Sequence, residues 1–211
     1  MPSISKTLPA KNLKQFDHVY WSFFLLKTSI LELQILSRND FNKGEVSILN
    51  SHTMSFYKVT LQYCLIMEYS KLMEVSMKTT KQGLSSLIKL NDLTLTFKDE
   101  FKPNYDLNIQ KLFELKSSNF YNKIKTLRDK KFAHSDSHTI NNPFSIKGLS
   151  FEELNTGLNQ LIEIKRIIDS CSFVFDFEYS NNLSSVENRT KNFIVNQGKY
   201  KEYFFSKNYN L

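Results

Sequence analysis

Glycine and proline are scarce in this chain, with 5 Gly and 4 Pro in 211 residues. Few positions suit a positive φ or a locked turn, so long elements are favoured over a fold dense in tight hairpins. Cysteine is scarcer still. Cys64 and Cys171 stand far apart, with no Cys-x-x-Cys pair and no Cys/His framework, which speaks against a disulfide scaffold or a structural zinc module and fits a reducing compartment. Arginine is the third shortage. Of 28 Lys+Arg, only Arg38, Arg128, Arg166 and Arg189 carry a guanidinium. No Gly-rich phosphate loop, Gly-x-Ser-x-Gly elbow or His-Glu-x-x-His run occurs, which argues against kinase-like, esterase and metalloprotease chemistry. The N-terminal lysine has no apolar run directly behind it, so no signal peptide is expected.

What is present is apolar, aromatic and basic. Hydrophobic residues make up 41% of the chain and aromatics 14%, enough for one well-buried core and against disorder. The net charge of +7 suits a polyanionic partner, although lysine-rich proteins of other kinds share it. The one stretch apolar enough to suggest a membrane span, Val19 to Leu36, contains Lys27, Glu32 and Gln34. These are costly in hydrocarbon, so a helix deep in a bundle is expected, with no membrane partner and a cytoplasmic location.

Hydrophobic periodicity predicts an all-α protein. Residues 11 to 37 carry a wide apolar stripe, and a loop follows at Ser37 to Gly44. A second long helix is expected from Ser47 to Lys78, stopped by Gly83. Leu84 to Phe97 fits a short helix, and its end at Thr94 to Phe97 also fits a strand. Pro103 marks a boundary. Ile109, Leu112, Phe113, Phe120, Ile124 and Leu127 then trace a third long helix. The next one has a clear start, with Ser150 as N-cap, Glu153 completing a capping box, and Leu149 with Leu154 as a hydrophobic staple. It is expected to end near Val174. The alternating aromatics from Phe173 to Tyr179 fit a short strand or a frayed end, and Asn181 to Ser185 a linker. Phe193, Ile194, Tyr200, Tyr203, Phe204 and Phe205 make the last segment too apolar for a solvated tail. Residues 1–180 are therefore read as a bundle of four or five helices, and 181–211 as a short aromatic extension packed on the bundle or on a partner.

The third helix delivers Thr126-Leu127-Arg128-Asp129-Lys130-Lys131-Phe132-Ala133-His134-Ser135-Asp136. A lysine would serve solubility, so an arginine at this place suggests a need for a planar, permanently charged fork, as in holding a phosphate. On an unbroken helix Arg128 and His134 point roughly 120° apart. Either the helix loosens near Ala133, or a second copy of the chain completes the site.

The stretch resembles the HEPN superfamily (higher eukaryotes and prokaryotes nucleotide-binding), whose signature is an arginine, a polar residue, a few further positions and a histidine. Within it, Leu-Arg-Asp-Lys-Lys-Phe-Ala-His-Ser-Asp is most similar to the abortive-infection AbiU-type branch. Ser70-Lys71-Leu72-Met73-Glu74 and Ser85-Ser86-Leu87-Ile88 echo upstream segments of that branch, with the lysine and glutamate as departures. The resemblance implies a HEPN-like bundle that pairs as a homodimer. It further implies a metal-independent endoribonuclease or RNA-binding protein of bacterial antiviral defence or a toxin–antitoxin system, with a cognate antitoxin or defence protein as a possible further partner. Its catalytic residues would be Arg128, Asp129 and His134. His134 would move protons at the ribose 2′-OH and the leaving 5′-oxygen to give 2′,3′-cyclic phosphate ends. Arg128 would stabilise the transition state, and Asp129 would orient a neighbouring donor. Lys123, Lys125, Lys130 and Lys131 would hold the RNA backbone. No cofactor and no metal are expected.

Blander readings stand beside each of these. Arg128 and Asp129 also fit a surface ion pair, with His134 closing a helix C-terminus. The whole then reads as a catalytically inactive dimeric helical module binding a partner protein or nucleotide. His134 and His138 have the i, i+4 spacing of a zinc pair, but further ligands are missing. His18 and His52 are isolated, and Glu68 and Glu74 fit a solvated face as well as an approach to Arg128.

Overall fold

A computed structural model of the protein describes residues 10–74, 83–95, 102–133, 148–171 and 183–208. Among these residues there are eight α-helices, one π-helical turn and no strand. The helices are α1 (Ala10–Leu36), α2 (Lys43–Leu49), α3 (His52–Leu72), α4 (Leu84–Leu95), α5 (Lys102–Ser117), α6 (Asn119–Leu127), α7 (Phe151–Cys171) and α8 (Leu183–Asn208). The π turn, Arg128–Ala133, continues α6.

The all-helical expectation holds, but the chain is cut more finely than the four or five helices expected. The reason is local capping. Asn42 caps α2 in a full capping box with Glu45, and Ser51 accepts from the Met54 amide to start α3. The expected helix from Ser47 to Lys78 is thus two helices meeting at Asn50 and Ser51. Ser118 does the same to the third stripe, its hydroxyl accepting from the Tyr121 amide at 3.1 Å, so α5 and α6 meet at an angle that period alone does not reveal. Pro103 lies in the first turn of α5, where its missing N–H costs nothing. The strand alternative at Thr94 and Leu95 is overturned, since both belong to α4. Leu183 to Ser185, expected in a linker, already belong to α8. The segment from Phe173 to Tyr179 and the loop at Asn141 to Pro143 lie outside the described residues.

Gly83 starts α4 instead of stopping α3. Its carbonyl accepts from the Ser86 and Leu87 amides, and a Cβ there would lie 2.4 Å from the Glu74 carbonyl oxygen. Only glycine lets the head of α4 come this close to the end of α3. The contact is fastened by Ser85, whose hydroxyl donates to the Glu74 carbonyl at 3.0 Å.

Helix α1 is the axis of the bundle. It packs against α3, α4, α7 and α8 and buries Val19, Phe23, Leu26, Ile30 and Leu33 at helical spacing. Its stretch from Asp17 to Leu36 is long and apolar enough to cross a membrane, yet 56% of it is covered by the rest of the chain. Helix α7 begins with the expected capping box, Glu153 Oε2 accepting from the Ser150 amide at 2.7 Å and Ser150 Oγ from the Glu153 amide at 3.1 Å. Leu149 and Leu154 are both buried beside it. Helix α8 lies on α1 and α2. It approaches α2 closely at Gly198, where a Cβ would stand 3.1 Å from the Glu45 amide nitrogen. It is also pinned to α1 through buried Glu32, which accepts from Thr190 Oγ1 at 2.5 Å.

Candidate functional site

Arg128 ends α6 at the point where the helix widens from i→i+4 to i→i+5 bonding. The π turn runs from Arg128 to Ala133, so the helix changes its winding from Arg128 onward and not only near Ala133, where the loosening was expected. π turns occur often where a helix presents functional side chains. His134 lies outside the described residues, as does His138.

Three helices bring side chains to Arg128. Met67, Ser70, Lys71 and Glu74 fall on one face of α3 and its end, at steps of three and four. Tyr121 stands two turns before Arg128 on the same side of α6, and Lys116 reaches in from the last turn of α5. Together they line a cavity of about 340 Å³ that holds three cations, Lys71, Lys116 and Arg128, against one carboxylate, Glu74.

The cations are held in place. Asp129 Oδ1 accepts from Arg128 Nε at 2.7 Å and lies 2.7 Å from Nη2, both side chains being about one-third exposed. This bond, with the nearby Tyr121 and Glu74, keeps the Arg128 pKa above its usual value. Asp129 engages one edge of the fork, so a phosphate would meet the guanidinium from the Nη1 side. Lys71 is steadied by Glu68 at 2.6 Å. Lys116 has its ammonium 5.8 Å from the centre of the Tyr121 ring, and burial, then the charge of Lys125, lowers its pKa. The Tyr121 ring in turn leans on buried Tyr69 at 6.4 Å. An anion entering here would meet a guanidinium already oriented by Asp129, which reduces the ordering cost of binding at that residue.

The residues expected to hold RNA do not all face this cavity. Lys123 reaches away to Glu153 at 3.6 Å, tying α6 to the start of α7. Lys125 and Lys130 are exposed on the flank of α6 and the π turn, and Lys131 lies on the same turn. The cations that do line the cavity beside Arg128, Lys71 and Lys116, were not singled out as anion ligands from the sequence. For Lys71 there was a signal, since it sits in the Ser70 to Glu74 segment. Lys116 had none, because only the bend at Ser118 turns it toward Arg128. Of the two carboxylates considered, Glu74 lines the cavity, while Glu68 is buried and serves Lys71. His18 and His52 are exposed and belong to no cluster. No group of three or more metal-ligating side chains occurs among the described residues.

No family model, curated protein or solved structure matches the chain.

An exposed apolar stripe leads toward the cavity. Phe56, Val59 and Tyr63 follow one another on the outer face of α3 at steps of three and four, in line with Met67 and Ser70. Tyr63 meets Phe132 of the π turn edge to face at 5.6 Å.

Proposed function

We propose that the chain is a HEPN-like helical protein that binds and cuts RNA, acting in the bacterial cytoplasm as part of an antiviral or toxin–antitoxin system. The observation that carries this reading is the cavity at Arg128, where Lys71 and Lys116 join the guanidinium around a space with room for a phosphodiester. Arg128 would take charge from a non-bridging phosphate oxygen, and Asp129 would hold the fork in orientation. His134, six residues on, would exchange protons with the ribose 2′-OH and the leaving oxygen. The chain would act as a homodimer through α3 and the π turn, with the stripe of Phe56, Val59 and Tyr63 as its apolar seam. A cognate antitoxin or defence protein is a further partner.

The test is incubation of the purified chain with total RNA in excess chelator, beside Arg128→Ala and His134→Ala. Cleavage by the wild type alone, leaving 2′,3′-cyclic phosphates, supports the nuclease. Equal background in all three removes it. One observation favours a second reading, a catalytically silent module binding a nucleotide or a partner protein: the Arg128 fork is already engaged by its neighbour Asp129. That reading predicts binding of nucleotide or partner that needs Arg128, without cleavage and without dependence on His134.

A further inference from the structure

Away from the Arg128 cavity, α1 and α7 part along their shared seam and leave a groove of about 420 Å³. The two helices run antiparallel here. Gln34 donates to Asn155 at 2.5 Å, Gly157 faces Ile30, and the groove continues toward the start of α1 and the end of α7. Lys165 consequently stands at the end near Phe23, Leu31 and Leu158 form the other, and Lys27 projects from α1 one turn in from Lys165. Ile162 lies between the two ends with 52% of its surface exposed. From Lys165 back to Leu158 is about 10 Å along the helix axis, the reach of a medium-length acyl chain.

We propose that this groove binds a small amphiphilic carboxylate, with its head on Lys27 and Lys165 and its apolar body along Leu31, Leu158 and Ile162. A mostly apolar concavity of this size with a few convergent polar groups is what small ligands use, whereas a protein partner needs a larger and flatter surface. Charge decides the head group. Two ammoniums stand in each other's field, and the Lys27 pKa is lowered, by burial first and by the charge of Lys165 second. A carboxylate between them relieves the repulsion and keeps its tail on apolar surface. Lys165 also holds Asp169 at 2.5 Å, so Asp169 competes for the same ammonium. The site is independent of the RNA reading, since none of its residues lines the Arg128 cavity.

The experiment is isothermal titration of the full chain with decanoate, decanol and butyrate. Decanoate should bind with one-to-one stoichiometry, about tenfold tighter than decanol and far tighter than butyrate. The double variant Lys27→Gln with Lys165→Gln should bring decanoate down to the decanol level, leaving decanol itself unchanged. Ile162→Asp should weaken both ligands, and Asp169→Asn should tighten decanoate a few-fold. Ile162, Lys165 and Asp169 are at least partly exposed, and circular dichroism of each variant verifies folding. Decanoate binding no better than decanol, or unaffected by the double lysine variant, overturns the proposal. So does an absence of heat combined with light scattering in which Ile162→Asp splits an oligomer, because the groove then belongs to a second copy.

Discussion

Replacing Glu32 by alanine should loosen α8 while leaving the core of α1, α3 and α7 folded. Glu32 is 1% exposed, about one turn before the end of α1. Its carboxylate accepts from Thr190 Oγ1 at 2.5 Å and lies 3.8 Å from Arg189 Nη2, and after burial its charge helps raise the pKa of the Tyr57 phenol on α3. The parts are unequal. The Arg189 side chain is 75% exposed, so its ion pair contributes only a few tenths of a kcal/mol. Thr190 is buried, and losing its acceptor costs about 1–3 kcal/mol. The vacated space adds about 1 kcal/mol, while Tyr57, less enclosed, turns to water. Glu32→Ala should therefore cost about 2–4 kcal/mol in urea unfolding, with faster amide exchange first along residues 183–208. Glu32→Gln keeps an acceptor for Thr190 and should cost about 1 kcal/mol. Arg189→Ala should stay within about 0.5 kcal/mol. Glu32→Leu with Thr190→Val removes both partners, and should recover most of the loss of either single change. An Arg189→Ala penalty equal to that of Glu32→Ala would refute the reasoning, because the exposed ion pair would then be the tie.

Tyr69 is fully buried, donates to Gln160 Oε1 and meets Phe120 edge to face at 5.3 Å. Burial, before any other cause, pushes its phenol well above the usual value. The folded state then keeps a proton that the unfolded chain releases above about pH 10, so stability falls from there upward by as much as about 1.4 kcal/mol per pH unit. Tyr69→Phe should cost about 1 kcal/mol at neutral pH and flatten that decline, which urea melts at several pH values will show. Gly157→Ala should destabilise by about 1–2 kcal/mol despite better helix propensity, because the added methyl stands 2.8 Å from Phe120 Cζ and 3.3 Å from Ile30 Cδ1, both buried. Gly44→Ala should be tolerated, since the nearest obstacle is the flexible, exposed end of Glu202; thermal melts separate the two cases. On the proposed RNA reading, Lys71→Ala with Lys116→Ala should weaken RNA binding and lower its salt dependence by about two contacts, whereas Lys123→Ala should affect stability more than binding, as salt-titrated filter binding and urea melts would reveal.

Composition and periodicity were enough to make this chain helical, because few glycines and prolines interrupt stripes of apolar residues at steps of three and four. Ser150 and Glu153 marked the start of α7 just as clearly, since a capping box is satisfied within four consecutive residues. The breaks at Ser51 and Ser118 carried equally local signals, but the apolar period runs across them and hides the change of direction. Gly83 shows where local reading fails. It looks like a helix stop, and only the approach of the Glu74 carbonyl makes it the head of α4. The Arg128 site divides in the same way. The unusual guanidinium beside Asp129 is visible in the sequence, as is the pairing of the two, because adjacent residues suffice. That Lys71 and Lys116 join it while Lys123 turns to Glu153 depends on how α3, α5 and α6 cross, and crossing angles follow from side-chain packing between helices far apart in the chain.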